Sequence, residues 1–137
     1  MRLAVLDAGP LIAVADTQDP HHAACLAVMQ RRDLRFVLPA LAIAEATYLI
    51  ERRGGPRVEA AFLRAIASYD VEAPAPEDWP RMADLVERYE DFPLGGTDAS
   101  VVALAERLGT PTVITLDRRH LGAIRPNHVE ALELLPA

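Results

Sequence analysis

Four acidic residues lie in stretches of the sequence that are otherwise apolar. A carboxylate is costly to remove from water, and in such surroundings it needs a cation as its partner. Oxygen ligands are the ones that Mg²⁺ and Mn²⁺ prefer, so several carboxylates that meet at one place predict a site for a divalent metal ion. The four residues are Asp7, Glu45, Asp98 and Asp117.

Each of these acids, taken alone, also has an ordinary structural explanation. Asp7 could form a turn after a strand, Asp98 could stabilise the first turn of a helix, and Asp117 could cap a short helical turn. Glu45 is the hardest to explain in this way, because its neighbours along the predicted helix are apolar and an inward face holding it would be apolar too. Together, the four positions predict one shared crevice.

The elements that must position these acids follow from the pattern of apolar residues, which predicts strands alternating with helices. This alternation indicates an α/β fold with three layers, in which helices cover both faces of a mostly parallel sheet of four to five strands. Asp19 and Thr97 are predicted helix caps. The predicted strands are residues 3–6, 36–38, 69–73, 112–116 and an edge strand at 129–134, and the predicted helices are 8–15, 20–30, 39–53, 57–68, 78–89 and 97–108.

In sheets of this kind, ligands bind beyond the carboxyl ends of the strands, where the strand order reverses. Asp7 and Asp117 both follow predicted strands, and Asp98 lies at the beginning of a predicted helix, where the helix dipole favours negative charge. All three side chains can therefore point into the same crevice.

The 137 residues fit one domain, residues 1–137, and 51% of them are hydrophobic, which is typical of a folded protein. The single cysteine, Cys25, permits no internal disulfide and indicates a reducing compartment. The first apolar run ends at Asp7, too early for a secretory signal, and no stretch is long enough for a membrane span. We therefore expect a cytoplasmic protein without a membrane partner.

All fourteen basic residues are arginines, and this excludes several kinds of site. A phosphate-binding P-loop and Schiff-base catalysis both need a lysine. A phospho-acceptor receiver domain also relies on one. A phosphatase similar to the haloacid dehalogenases would need a lysine and a second aspartate at position 9, where the chain has Gly9.

The formal net charge of −6 is unusual for a protein that binds nucleic acid. Bound metal ions would cancel part of this charge and would themselves attract phosphate. Arginine clusters at 31–35, 52–57 and 118–125 either hold a nucleic-acid backbone or merely solvate the surface. His120 and His128 are predicted surface or loop residues.

Four segments, taken in order, resemble a PIN domain, and among PIN domains they are similar to the VapC ribonuclease toxins of toxin–antitoxin pairs. One local departure is Thr97, where many relatives have a small apolar residue. The segments are VLDAGPL at 5–11, the helix with Glu45 ahead of Tyr48, DFPLGGTDA at 91–99 and ITLD at 114–117.

The resemblance implies an endoribonuclease that depends on Mg²⁺ or Mn²⁺, forms a homodimer and is inhibited by a small VapB-type antitoxin. Asp7 and Asp98 would be the principal metal ligands and catalytic residues, and Glu45 and Asp117 would complete the acidic site. Hydrolysis of RNA by an activated water would leave 5′-phosphate and 3′-hydroxyl ends. Ribosomal RNA, tRNA and mRNA all remain possible substrates, and the alternative function is an inactive PIN-like module that binds RNA or protein.

Overall fold

The computed structural model describes residues Met1–Ala137, in which five strands alternate with six helices. The number and order of the strands agree with the prediction, but the helices predicted at 39–53 and 57–68 form one kinked helix, and a helix at Arg118–Ala123 replaces what the sequence indicated only as a short helical turn. The strands are β1 (Arg2–Leu6), β2 (Leu34–Pro39), β3 (Asp70–Glu72), β4 (Thr112–Ile114) and β5 (Glu133–Leu135). The helices are α1 (Ala8–Ala15), α2 (His22–Met29), α3 (Ala40–Ile66), α4 (Asp78–Arg88), α5 (Gly96–Leu108) and α6 (Arg118–Ala123).

The five strands form one sheet in the order β3-β2-β1-β4-β5, and every neighbouring pair is parallel. Strand β1 lies at the centre, where Val5 is paired with Val37 of β2 on one side and with Val113 of β4 on the other. The chain adds strands on one side of β1 and then on the other, so the strand order reverses between β1 and β4. A crevice at the carboxyl ends of these two strands is the expected place for a ligand.

Two hydrophobic cores lie on opposite faces of the sheet. Side chains of β1 alternate between them: Ala4 and Leu6 pack with the core of α1, α2 and α3, whereas Val5 packs with the core of α4, α5 and α6. A buried parallel strand with apolar residues on both faces requires helices on both sides. The three-layer α/β prediction is therefore confirmed.

Two predicted helix starts are wrong by a few residues. Asp19 does not cap α2 directly; its side chain accepts a hydrogen bond from the His21 amide (2.8 Å) in a turn before the helix. Thr97 is not the cap of α5, because the Gly95 carbonyl already accepts from the Ala99 amide at 3.0 Å. Helix α5 therefore begins at Gly96, and Asp98 lies in its first turn.

The last predicted strand is displaced toward the C-terminus. Strand β5 covers Glu133–Leu135 rather than 129–134, because it pairs only with the three residues of β4. Its partner is shorter than predicted as well, since β4 ends at Ile114. None of the helices is long and apolar enough to cross a membrane.

Helix α3 contains a kink at the position where the sequence predicts a break between two helices. Gly55 has φ 79° and ψ −176°, and Pro56 follows it. This backbone region is essentially restricted to glycine, because a Cβ atom would collide with the neighbouring peptide groups. The chain thus changes direction between residues 40–54 and 56–66 without leaving the face of the sheet.

We expect Gly55→Ala to lower the free energy of unfolding by about 1–3 kcal/mol, the usual cost of holding a residue with a side chain in a region reserved for glycine. Urea denaturation monitored by circular dichroism measures this change. Gly122→Ala is the matched control, since Gly122 lies in α6 and an added Cβ would meet Leu134 at an ordinary 3.9 Å. Equal stability of the two variants would contradict the role assigned to the kink.

Candidate active site

The four predicted acids are carried by four different elements that meet at the carboxyl edge of the sheet. Asp7 follows β1 directly and caps α1, and Asp117 follows β4 and caps α6. Glu45 is on α3, on one face of the sheet, and Asp98 is in the first turn of α5, on the other. The crevice at the point of strand reversal therefore receives acids from the sheet and from both helical layers.

Asp7 is the most enclosed of the four, with 5% of its surface exposed. One carboxylate oxygen accepts from the Ala8 amide and the other from the Thr115 hydroxyl, both at 2.8 Å. Burial raises the pKa of Asp7 and outweighs these hydrogen bonds, which lower it, and the nearby charge of Asp117 raises it further. An anion held so firmly is preorganised to receive a cation.

Thr115 connects the acids that follow the two central strands. While its hydroxyl donates to Asp7, the same oxygen accepts from the Asp117 amide at 3.0 Å, and the side chain is 1% exposed. The structure shows that one buried hydroxyl sets the position of Asp7 relative to the backbone of Asp117.

Asp117 has the capping role that its ordinary explanation predicts, because its side chain accepts from the His120 amide at 3.0 Å. The His120 ring adds a second contact, with Nδ1 at 3.0 Å from Oδ2 of Asp117. The prediction that His120 is merely a surface or loop residue is wrong, since it is half-buried and holds a site carboxylate in place. Its spacing of three residues from Asp117, which places both on one side of a helical turn, was the available signal.

Asp98 is half-buried and lies in the first turn of α5. Burial, together with the charges of Asp7, Asp117 and Glu45, raises the pKa of Asp98 to about 6. The effects of these three charges show that Asp98 lies near the other acids, since the interaction between two charges weakens with distance.

Glu45 differs from the prediction in its surroundings. Its side chain is exposed and does not lie on an inward apolar face, because α3 borders the open side of the crevice. Neighbouring atoms still remove enough water to raise its pKa, and the charge of Asp7 raises it further. Glu45 therefore belongs to the acidic crevice but lines its open side.

None of the four acids forms an ion pair with an arginine, and the one basic contact among them is that of His120 with Asp117. No group of three or more acidic, histidine or cysteine side chains is arranged to hold a metal ion directly as it stands. Mg²⁺, however, usually keeps several of its waters and is held by only one or two carboxylates. An oxygen-only set of mutually repelling carboxylates fits such an ion.

The comparisons with known proteins agree with this fold and with the order of the motifs. A family model for the PIN domain matches residues 4–125. Ribonuclease VapC26 of Mycobacterium tuberculosis (strain ATCC 25618 / H37Rv) is 34% identical over 124 residues, which cover 89% of this chain and 92% of the relative. The chain therefore belongs to the PIN domain family.

Within that family, the similarity extends to solved structures of VapC proteins. Mycobacterium tuberculosis VapC20, described as a sarcin-ricin loop cleaving toxin, superposes with a TM-score of 0.81 at 17% identity, covering 95% of this chain and 99% of that one. VapBC2 from Rickettsia felis, solved with a DNA fragment from its promoter, gives a TM-score of 0.71 at 12% identity, covering 96% and 98%. At these identities the two structures support the fold.

The raised pKa of Asp98 predicts how stability depends on pH in the absence of metal. Between the ordinary value of 3.8 and about 6, the unfolded chain loses this proton while the folded protein keeps it. The folded state then binds more protons, so stability falls as the pH rises through this interval. Asp98→Asn should make the fall shallower and should leave the protein at least as stable as the wild type near neutral pH.

Urea midpoints measured in EDTA at several pH values between about 4 and 8 test this prediction. Asp84→Asn, at an exposed carboxyl on α4, is the control and should retain the pH dependence of the wild type. An Asp98→Asn protein that is less stable than the wild type at neutral pH would mean that this carboxylate supports the fold.

Thr115→Val keeps the shape of the side chain and removes its hydroxyl. A buried acceptor of Asp7 then loses its donor, so we expect the free energy of unfolding to fall by about 1–3 kcal/mol. Thr112→Val, at the beginning of β4, is the control, since its hydroxyl makes only long contacts of 3.4 and 3.5 Å. Chemical denaturation compares the two, and equal losses would rule out a specific bond to Asp7.

Proposed function

We propose that this protein is a metal-dependent endoribonuclease toxin of the VapC type, with residues 1–137 acting as one PIN domain. The observation that carries the proposal is the meeting of four carboxylates from four elements, none of them neutralised by an arginine. Such an arrangement costs stability through repulsion and desolvation, so a structural role explains it poorly. Membership of the PIN family and the likeness to VapC proteins support the same function.

Asp7 and Asp98 are proposed as the principal ligands of Mg²⁺ or Mn²⁺, with Asp117 and Glu45 completing the set. When bound there, the ion would polarise the phosphate and make a water molecule more acidic. The hydrogen bonds from Ala8 and Thr115 leave Asp7 with one orientation, and each of its oxygens keeps a second lone pair for a ligand.

Glu45 is suited to a different task because it lines the open side of the crevice. An exposed carboxylate with a raised pKa can orient the attacking water and accept its proton. Water attacks the phosphorus, the bond to the 3′-oxygen breaks, and the products carry 5′-phosphate and 3′-hydroxyl ends. The 2′-hydroxyl of RNA takes no part in this reaction.

The proposed partners follow from the relatives. VapC20 is described as cleaving the sarcin-ricin loop, and VapC of Rickettsia felis was solved in a VapBC complex. For this chain we propose an RNA substrate, a VapB-type antitoxin that blocks the activity, and a homodimer. Ribosomal RNA, tRNA and mRNA are the substrate classes to compare.

Purified, antitoxin-free protein incubated with total bacterial RNA should produce discrete fragments in Mg²⁺ or Mn²⁺ and none in EDTA. Asp7→Asn and Asp98→Asn should each reduce cleavage at least about 100-fold, since losing even an outer-shell partner of a metal costs 10–100-fold. Asp84→Asn makes the same change of charge away from the crevice and should cleave normally.

Mapping the fragment ends tests the chemistry separately from the activity. Products with a 2′,3′-cyclic phosphate would contradict hydrolysis by water. A folded protein that binds RNA in the presence of metal and leaves it intact would favour the inactive binding module instead.

A further inference from the structure

A crevice lined by carboxylates repels the phosphates of an RNA chain, so the substrate needs cations beside the crevice to hold it. Many arginines of this chain are already committed to carboxylates. Arg35, Arg53, Arg81 and Arg107 each form an ion pair with an aspartate or glutamate. A guanidinium without such a partner, close to the four acids, is the group that could bind substrate phosphate.

The two consecutive arginines at the beginning of α6 differ in their contacts. Arg118 turns toward the C-terminus, where one of its nitrogens donates to the carbonyls of Leu134 and Pro136, both at 2.8 Å. Arg119 is exposed, and its guanidinium lies over the ring of Phe92, with Cζ 5.2 Å from the ring centroid. The sequence treats the two as equivalent candidates, whereas the structure separates them.

Phe92 connects this guanidinium to the acidic crevice. The ring of Phe92 packs against that of His120, with centroids 4.7 Å apart, and His120 in turn contacts Asp117. Phe92 also belongs to the loop that leads into α5, the helix that carries Asp98. Arg119 is therefore fixed beside the elements that supply two of the four acids.

Stacking on an aromatic ring suits a guanidinium that must bind a phosphate. The planar face of the group rests on the ring, and its N–H bonds lie in the plane of the guanidinium, where they can form two parallel hydrogen bonds to phosphate oxygens. The half-buried ring also restricts the motion of a long side chain, which lowers the entropy lost on binding.

We propose that Arg119, held over Phe92, binds a backbone phosphate of the RNA next to the bond that is cleaved. Arg118 does not share this role, because two hydrogen bonds from one of its nitrogens hold it against the main-chain carbonyls of Leu134 and Pro136. The inference rests on the proposed ribonuclease function and adds to it a residue that positions the substrate. Arg119 thereby supplies positive charge where the crevice itself has none.

Anisotropy of a labelled single-stranded RNA, measured in Mg²⁺ at several salt concentrations, tests this role without cleavage when all proteins carry Asp98→Asn. Arg119→Ala should raise the Kd about tenfold, as expected for the loss of one charge-assisted contact. It should also reduce the slope of log affinity against log salt by about 0.7, the value for one phosphate contact on a single strand. The Kd of Arg119→Lys should lie between the Kd of the protein with Arg119 intact and that of Arg119→Ala, because lysine keeps the charge and loses the planar stack.

Arg32→Ala is the matched control. It removes the same charge from an exposed position just before β2, at the amino ends of the strands and away from the crevice. It should change neither the Kd nor the slope of log affinity against log salt. In the nuclease with Asp98 intact, Arg119→Ala should raise KM with little change in kcat, since it removes binding common to substrate and transition state.

Several results would overturn the inference. If Arg119→Ala and Arg32→Ala have the same Kd for RNA while the wild-type protein cleaves it, the ribonuclease function stands, and Arg119 only packs on Phe92. If Arg52→Ala weakens binding instead, the strand lies along α3, where Arg52 stacks on the exposed Tyr48. If the wild type neither binds nor cleaves RNA, the proposed function itself fails.

Discussion

Repulsion among four carboxylates is the constraint around which this molecule is arranged. Asp7, Glu45 and Asp117 all raise the pKa of Asp98, Asp7 also raises that of Glu45, Asp117 also raises that of Asp7, and no arginine neutralises any of the four. A protein under selection for stability alone would separate or pair such charges. The fold instead brings them to the one edge of the sheet where the strand order reverses. A bound cation would offset this cost, and this supports the proposed divalent metal ion.

Rigid neighbours prevent the repelling groups from moving apart. Asp7 and Asp117 are both helix caps, so each is fixed by a backbone amide as well as by the strand that precedes it. The hydroxyl of Thr115 lies between them and bonds to the side chain of one and the amide of the other. Capping and metal binding are compatible because a carboxylate has more lone pairs than a cap uses. Asp7 and Asp117 therefore act as helix caps, and this structural role is compatible with the proposed functional one.

The four acids differ in how far they are exposed to solvent and in what surrounds them. Glu45 lies at the open side, where it can meet water, and Asp7 lies at the closed side, where burial holds it still. Beyond Asp117, the contact of His120 with Phe92 joins α6 to the loop before α5. This contact keeps two acid-bearing elements together. Positive charge begins only at Arg119, outside it.

The sequence by itself determined the parallel sheet, the helices on both of its faces, the break near Gly55 and the convergence of four acids, because these follow from local patterns of apolar residues, turns and strand ends. It also determined the PIN family, through motifs that stand in order along the chain. Only the tertiary structure decided that Gly95 rather than Thr97 caps α5, that Glu45 is exposed, that His120 holds Asp117 and that Arg118 and Arg119 point to different partners. These features depend on contacts between residues far apart in the chain or on which side of an element faces solvent. No local pattern encodes them, since neighbouring arginines look alike in sequence until packing gives one of them the ring of Phe92.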